Sequence, residues 1–253
     1  MKIFVISHKP IDVNLGHLFI PLYVGQAAIS TSGMSDLSGD SISSKNPFYS
    51  ELTAQYWVWK NLLPNIDSEE IIGFCHYRRF FNFGQTIDTI NDVSKLDLSN
   101  NIAAILKSQG DVILPTEATF PLKQHWYSRS KALGKLKFPW ESLTLLEQFE
   151  LEHDKQSLLT AINLLPDEHN QGFINYLDGY KMSPYNMYIT TSSVLNNYFE
   201  VLFPWLFKLE KFIEYKNKSA YQARLPGFIS ERFASYFFNK FHKPILIPVS
   251  FIR

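Results

Sequence analysis

Hydrophobic and polar positions along the chain fall into short apolar runs separated by longer amphipathic stretches. Lys2 to Ser7, KIFVIS, is a β-branched and aromatic run closed by the polar turn HKP, which predicts a buried strand. Residues Leu18 to Ala28 are apolar without a clear period and stay ambiguous between strand and helix. From Ile29 to Asn46 the chain is rich in Ser, Gly and Asp and has no period, so it reads as a long loop, of the kind that often carries function. A linker between domains is the other reading, but the apolar lead-in is too short to be a domain.

Asn46 to Leu63, NPFYSELTAQYWVWKNLL, places Leu52, Tyr56, Trp59 and Leu63 at helical spacing, with Asn46 as cap and Pro47 at the first helical position. Ile71 to Cys75, Asp111 to Pro115 (DVILP) and Tyr185 to Thr191 (YNMYITT) read as further strands, with LSNNIAAILKSQ as the helix before DVILP. Thr144 to Leu165 reads as one helical stretch. Ser192 to Lys216 reads as another, with Ser193 as cap and a kink or break at Pro204. GFISERFASYFFNKF is a last helix and PILIPVS a closing strand. Strands alternating with helices predict an α/β sheet covered on both faces.

The 253 residues suit one large domain. Lys plus Arg equals Asp plus Glu at 24 each, so there is no global basic field for nucleic acid, and any anion site has to be local. The single cysteine, Cys75, rules out an internal disulfide and fits a reducing compartment. No signal peptide and no membrane-spanning apolar run is expected. Aromatic residues make up 15% of the chain, and core filling accounts for most of them before any stacking role does.

Local charge then changes the picture. His76-Tyr77-Arg78-Arg79 follows directly on an apolar strand, and in open α/β sheets ligands sit beyond the carboxyl ends of strands. Two guanidinium forks there suit phosphate oxygens; a surface pair bridged to Glu69 or Glu70 is the alternative. His8 and Lys9 follow the first strand, a favoured nucleotide-contact point, or else a solvated turn. Lys45, Asn46, Tyr49 and Glu51 cluster at a helix amino terminus, which attracts anions, although a plain cap explains Asn46. In RLPGFISER, Arg224 and Arg232 flank Gly227, Ser230 and Glu231; the carboxylate is either a general base or an ordinary acid in the first helical turn.

Several devices are missing: no phosphate-binding Gly-rich loop, no HExxH, no CxxC and no Asp-x-Asp at a strand end. Asp167-Glu168-His169 offers metal-ligand types but reads as a loop. Cys75 and His76 are neighbours on a strand and so point to opposite faces, which argues against a Cys–His nucleophile pair.

Taken in order, FVISHKP, GDSISSKNPFYSELTAQYWVWKN, GFCHYRRFF, DVILP, YNMYI and RLPGFISERF resemble the bacterial family catalogued as domain of unknown function 4422. The resemblance covers nearly the whole chain. Its members sit in capsule, exopolysaccharide and O-antigen gene clusters and are assigned as glycosyltransferases, some of them galactofuranosyl or galactosyl transferases. Two departures stand out: DLSGDSIS has Leu37 and Ser41 where the family commonly has Asn, and Tyr188 stands where Phe is usual.

The resemblance implies a GT-A-like α/β fold with a mixed, mostly parallel sheet flanked by helices. It implies one domain over 1–253, with a nucleotide-sugar half (1–115) and an acceptor-binding, helical half (116–253). It implies an inverting transfer of galactofuranose or galactose from a UDP-sugar to a capsular, exopolysaccharide or O-antigen glycan, lipid-linked or oligosaccharide. Such an enzyme is expected in the cytoplasm, with peripheral contact at the inner membrane face through the aromatic segment Tyr198 to Phe212, although a buried amphipathic helix is the leading reading of that segment. The strand ending in His76-Tyr77-Arg78-Arg79 stands where many such enzymes carry a metal-binding Asp-x-Asp, so these cations are expected to neutralise the donor diphosphate without a cofactor, manganese or magnesium being the alternative. His8, Lys9, Lys45, Asn46, Tyr49 and Glu51 join them as nucleotide-sugar contacts. Glu231 is the expected base, and Asn186, Arg224 and Gly227 line the acceptor or donor-sugar pocket. A non-catalytic glycan or nucleotide-sugar module and a sugar or polyol phosphotransferase are the competing functions.

Overall fold

The computed structural model of the chain describes residues 1–122, 126–134, 137–138, 140–213 and 219–252. Its strands are β1 (Lys2–Ser7), β2 (Phe19–Tyr23), β3 (Ile71–His76), β4 (Arg79–Phe81), β5 (Val112–Pro115), β6 (Ala118–Pro121), β7 (Ser142–Leu143), β8 (Lys181–Met182), β9 (Tyr188–Thr191), β10 (Pro244–Ile247) and β11 (Val249–Phe251). The main sheet runs β10-β5-β9-β3-β1-β2. Its pairings are parallel except around β9, which is antiparallel to both β3 and β5. β4 and β11 form an antiparallel ribbon hung on the end of β3. β6, β7 and β8 make a small second sheet. This is a GT-A-like α/β architecture: a mixed, mostly parallel sheet flanked by helices.

The period-2 pattern of β1 sorts the two faces. Phe4 and Ile6 join an aromatic-rich layer with the helices Leu52–Asn61, Ser192–Glu210 and Leu225–Phe241. Ile3 and Val5 face a mostly aliphatic layer containing Ile102 of the helix Ser99–Ser108, with Phe19, Phe80 and Phe81. Gly73 is needed where β3 meets β9, because a Cβ there would lie 2.7 Å from the Ile189 side chain. Most of the aromatic segment from Tyr198 is core: Tyr198, Phe199, Phe203 and Trp205 are buried, and the indole N–H of Trp205 donates to the Ala161 carbonyl at 2.7 Å, whereas Phe212 at its end is exposed. Among the described residues no helix is long and apolar enough to cross a membrane.

Local readings fail at particular places. Residues 18–28 resolve into β2 and the start of a short helix, Gly25–Ser30. The helix expected over 46–63 is two, Asn46–Tyr49 and Leu52–Asn61, broken at Ser50, whose φ is 50°. Asn46 is not its cap: its amide donates to the Ser50 carbonyl at 2.9 Å and to Thr53 Oγ1 at 3.2 Å, bridging the break. The stretch 144–165 is also two helices, Leu145–Glu152 and Lys155–Leu164, because Asp154 caps the second through Gln156 N–H at 3.0 Å. Asp167 to His169 open a helix, Asp167–Leu177, rather than a loop.

Pro204, by contrast, neither stops nor ends Ser192–Glu210, and that helix begins after Thr191 with no side-chain cap from Ser193. Positions 214–216 of its expected extension lie outside the described residues. The strand expected from Tyr185 begins only at Tyr188, and the closing strand is two, β10 and β11. The last helix begins at Leu225, so Ser230 and Glu231 occupy its second turn, not its first.

Candidate active site

The registers Ile6↔His76 and Ser7↔Tyr23 bring the carboxyl ends of β1, β2 and β3 to one rim of the sheet. The chain leaving β3 stays on β1, with Tyr77 N–H donating to the Ile6 carbonyl at 3.1 Å. A cleft of about 550 Å³ opens there, lined by His8, Asn46, Ser50, Glu51, His76, Tyr77, Arg78, Arg79, Tyr185, Arg224 and Glu231 among others. Loops after β1 and β3, the break in the helix pair at 46–61, the turn before β9 and the start of Leu225–Phe241 thus converge on one cavity, which falls in the size range of small-ligand sites.

Nine of the residues expected at the site line this cleft: His8, Asn46, Glu51, His76, Tyr77, Arg78, Arg79, Arg224 and Glu231. Lys45 and Tyr49 are not on its wall. Lys45 Nζ reaches Glu210 Oε1 at 2.7 Å, and the Tyr49 hydroxyl donates to Glu210 Oε2 at 3.1 Å, so both tie the short helix to the end of Ser192–Glu210. Lys9 is also off the wall; its main chain closes a turn with Ser7 Oγ. Asn186 lies one layer behind, its amide donating to Glu51 Oε1 at 2.7 Å and to the Gly227 carbonyl at 3.2 Å. That carbonyl also accepts from Ser230 Oγ at 2.8 Å, which is the part Gly227 plays.

Tyr185 and Ser50 are lining residues that the sequence reading did not single out. The described chain has three non-glycine residues in the left-handed region: Ser50, Tyr185 (φ 81°) and Asn186 (φ 49°). Two line the cleft and the third backs it. Such conformations cost about 1–3 kcal/mol each and persist only where the surroundings fix them. Here they do. Tyr185 O accepts from His76 Nε2 at 2.6 Å, and Asn186 O accepts from Gln55 Nε2 at 2.9 Å. Gln55 Oε1 in turn accepts from the Tyr188 hydroxyl at 2.6 Å. The departure from Phe to Tyr at 188 therefore supplies the group that orients Gln55 under the turn. Of the other departures, Leu37 is exposed, and Ser41 is bonded into its own loop through the Asp36 carbonyl.

The electrostatics separate the charged groups. His76 is driven toward its neutral form, chiefly by burial, against the pull of Glu51. Because a carbonyl can only accept, the bond to Tyr185 requires the proton on Nε2. His76 is thus a neutral donor that holds the turn, which corrects the expectation that it adds positive charge. His8 is also pushed down, by burial and then by Lys9, Arg224 and Arg78. The cations of the cleft are therefore Arg78, Arg79 and Arg224. Glu70, one alternative partner for the pair at 78–79, is taken by the chain's amino terminus. Among the described residues no carboxylate ion-pairs with Arg78 or Arg79. Arg79 instead lies over the Tyr185 ring at 4.6 Å and the Phe251 ring at 5.9 Å, and Arg78 lies 5.6 Å from the Tyr77 ring. Stacking of this kind occupies the faces of a guanidinium and leaves its N–H edge available.

The two carboxylates differ as sharply. Glu51 is held by the Asn186 amide, and Arg224 Nη2 stands 3.9 Å away. Arg224 is itself fixed by Ser50 Oγ at 2.6 Å. Glu231 is raised from 4.5 to about 7, first by burial and then by the charge on Glu51, with Arg232, Arg79 and a main-chain bond from Tyr185 opposing. A carboxylate poised near neutrality can accept a proton from a bound hydroxyl. Among the described residues no group of three or more His, Cys, Asp or Glu is arranged to hold a metal ion. The donor set at the end of β3 is cationic and does not fit one.

A family model described as "Domain of unknown function (DUF4422)" matches residues 2–243, and the chain belongs to that family, as its motifs imply. No curated protein matches the chain. Among solved structures it is similar to one titled as the WbbM bifunctional glycosyltransferase in its apo form, with a TM-score of 0.75 and 24% identity. That match covers 99% of this chain and 45% of the other, so this chain spans less than half of that protein; the likeness is one of fold.

Proposed function

We propose that this protein is an inverting glycosyltransferase that takes a sugar from a nucleoside diphosphate donor, a UDP-sugar carrying galactofuranose or galactose, and adds it to a surface glycan. The observation that carries the reading is the cleft itself: guanidinium groups without carboxylate partners at the carboxyl ends of parallel strands, facing a carboxylate tuned to about 7. Arg78 and Arg79 hold the donor diphosphate and offset the charge that develops on it as the glycosidic bond breaks. Glu231 takes the proton of the acceptor hydroxyl while that oxygen bonds to the anomeric carbon and the nucleoside diphosphate departs. In this reading the arginines carry the charge stabilisation in place of a metal. We read residues 1–115 as the nucleotide-sugar half, and the later half as supplying β9, Glu231 and the acceptor side. A lipid-linked or oligosaccharide acceptor at the inner face of the cytoplasmic membrane suits this family. Contact with that membrane would have to use a surface other than the buried face of Ser192–Glu210.

The test is turnover of a UDP-sugar panel, read as UDP release, with calorimetry for donor binding. Glu231→Gln is expected to lower transfer by roughly 10²–10⁴-fold while sparing donor affinity, and wild-type turnover should survive excess chelator. Wild-type-like transfer by this variant removes Glu231 as the base. Complete loss in chelator, restored by manganese or magnesium, removes the metal-free version. Release of inorganic phosphate alone points to a phosphotransferase.

A further inference from the structure

A second, smaller cavity adjoins the first. It measures about 200 Å³ and shares Tyr185 and Glu231 with the larger cleft, so Glu231 lines both. One side is an aromatic wall: the His153 ring stacks on Phe228 at 4.1 Å and 22° and faces Tyr221 at 5.6 Å and 28°. Tyr221 is 51% exposed, so the face of this wall is open to a ligand. The other side is polar. Gln148 donates to Glu152 Oε2 at 2.6 Å, and its carbonyl oxygen accepts from Arg232 Nη2. Arg232 is 2% exposed; among the described residues it donates to neutral groups, Gln148 and the Phe228 carbonyl at 2.8 Å, lies over the Phe149 ring at 4.8 Å, and has no hydrogen-bond partner at Nε. Burial lowers its pKa only to about 10, so it is still a cation at neutral pH.

A cavity with one aromatic face and a carboxylate, an amide and a guanidinium opposite it presents the two kinds of surface a sugar ring has: a C–H face to lie on rings, and hydroxyls to pair with fixed polar groups. Its volume is below the roughly 300–1,000 Å³ of drug-sized sites and suits a single ring. Each acid of this wall has a cation beside it, Arg129 Nη2 at 3.5 Å from Glu152 and Arg232 next to Glu231, so no unbalanced charge calls for a charged ring.

We propose that this second cavity is the acceptor subsite, and that it binds one neutral hexose ring through the wall of His153, Tyr221 and Phe228 and the polar row of Glu152, Gln148 and Arg232. This rests on the reading of the larger cleft as the donor site and of Glu231 as the base, because an acceptor hydroxyl must reach that carboxylate from the side away from the diphosphate.

Saturation-transfer NMR with methyl hexosides (galactoside, glucoside, mannoside) in the presence of UDP tests it, with calorimetric UDP affinity as a separate readout of the first cleft. The wild-type protein is expected to transfer saturation to at least one glycoside. Tyr221→Ala, at an exposed ring, and the isosteric Glu152→Gln should each cut that signal at least fivefold. No transfer to any glycoside while UDP binds overturns the proposal, as does a signal that neither variant changes. Failure of UDP to bind overturns the reading of the larger cleft instead, whatever the glycosides show.

Discussion

Two helical segments of this chain behave in opposite ways. Ser192–Glu210 contains a proline at position 204 and continues past it without a break, whereas 46–61 contains no glycine and no internal proline at its break, yet splits at Ser50. The difference lies in what each is packed against. Pro204 faces solvent, so the carbonyl one turn earlier that lacks its N–H partner can bond water. The opposite side of that helix buries Tyr198, Phe199, Leu202, Phe203, Trp205, Leu206 and Leu209, which keeps the helix continuous. At Ser50 the chain instead bends so that Asn46, Ser50 and Glu51 all reach the cleft wall. Asn46 and Thr53 tie off the Ser50 carbonyl, and Arg224 grips its hydroxyl. A rule about residue type gives way in both places, once to a core and once to a site.

The largest expected effect tests the core half of this contrast. Trp205→Ala removes a ring that is 1% exposed together with its bond to Ala161, and should cost about 3–5 kcal/mol in urea unfolding. A loss below about 1 kcal/mol would mean that packing does not hold the helix together. Next, Glu51→Gln tests what the break delivers. Glu231 binds its proton more tightly folded, near 7, than at its ordinary 4.5. The site therefore favours the folded state fully below about pH 4.5, and that contribution is lost as pH rises through about 7. With the charge of Glu51 removed, the upper midpoint of this loss, read from unfolding free energies between pH 5 and 8, should move down by about one pH unit. An unmoved midpoint breaks the link between the bend at Ser50 and the tuning of Glu231. The smallest effect is expected from Pro204→Ala, a gain of no more than about 1 kcal/mol. A much larger gain would show that the helix is strained around the proline.

The same contrast explains how far the sequence could be read. β1, β3 and β5 were legible because β-branched and aromatic runs end in polar turns. The cluster at 76–79 was legible because fixed cations directly follow such a run. Glu51, Arg224 and Glu231 were reachable through the motif blocks they share. What stayed hidden depends on contacts between distant segments. YNMYITT has the composition of a strand from its first residue, and nothing local shows that Tyr185 and Asn186 are turned over by His76 and Gln55. Lys45 and Tyr49 look like site residues because they neighbour Asn46, but Glu210, 165 positions from Lys45, claims both. Likewise the neutrality of His76 follows from enclosure and one carbonyl, and neither can be read from the letters around it.

The turn at 185–186 has one consequence for how ligands would arrive. Tyr185 forms part of the partition between the two cavities, its ring lies against Arg79, its carbonyl is fastened to His76, and its neighbour's amide is fastened to Glu51. A molecule that displaces this ring to enter one chamber alters the wall of the other. The two chambers have this residue in common, so neither can be reshaped there without the other.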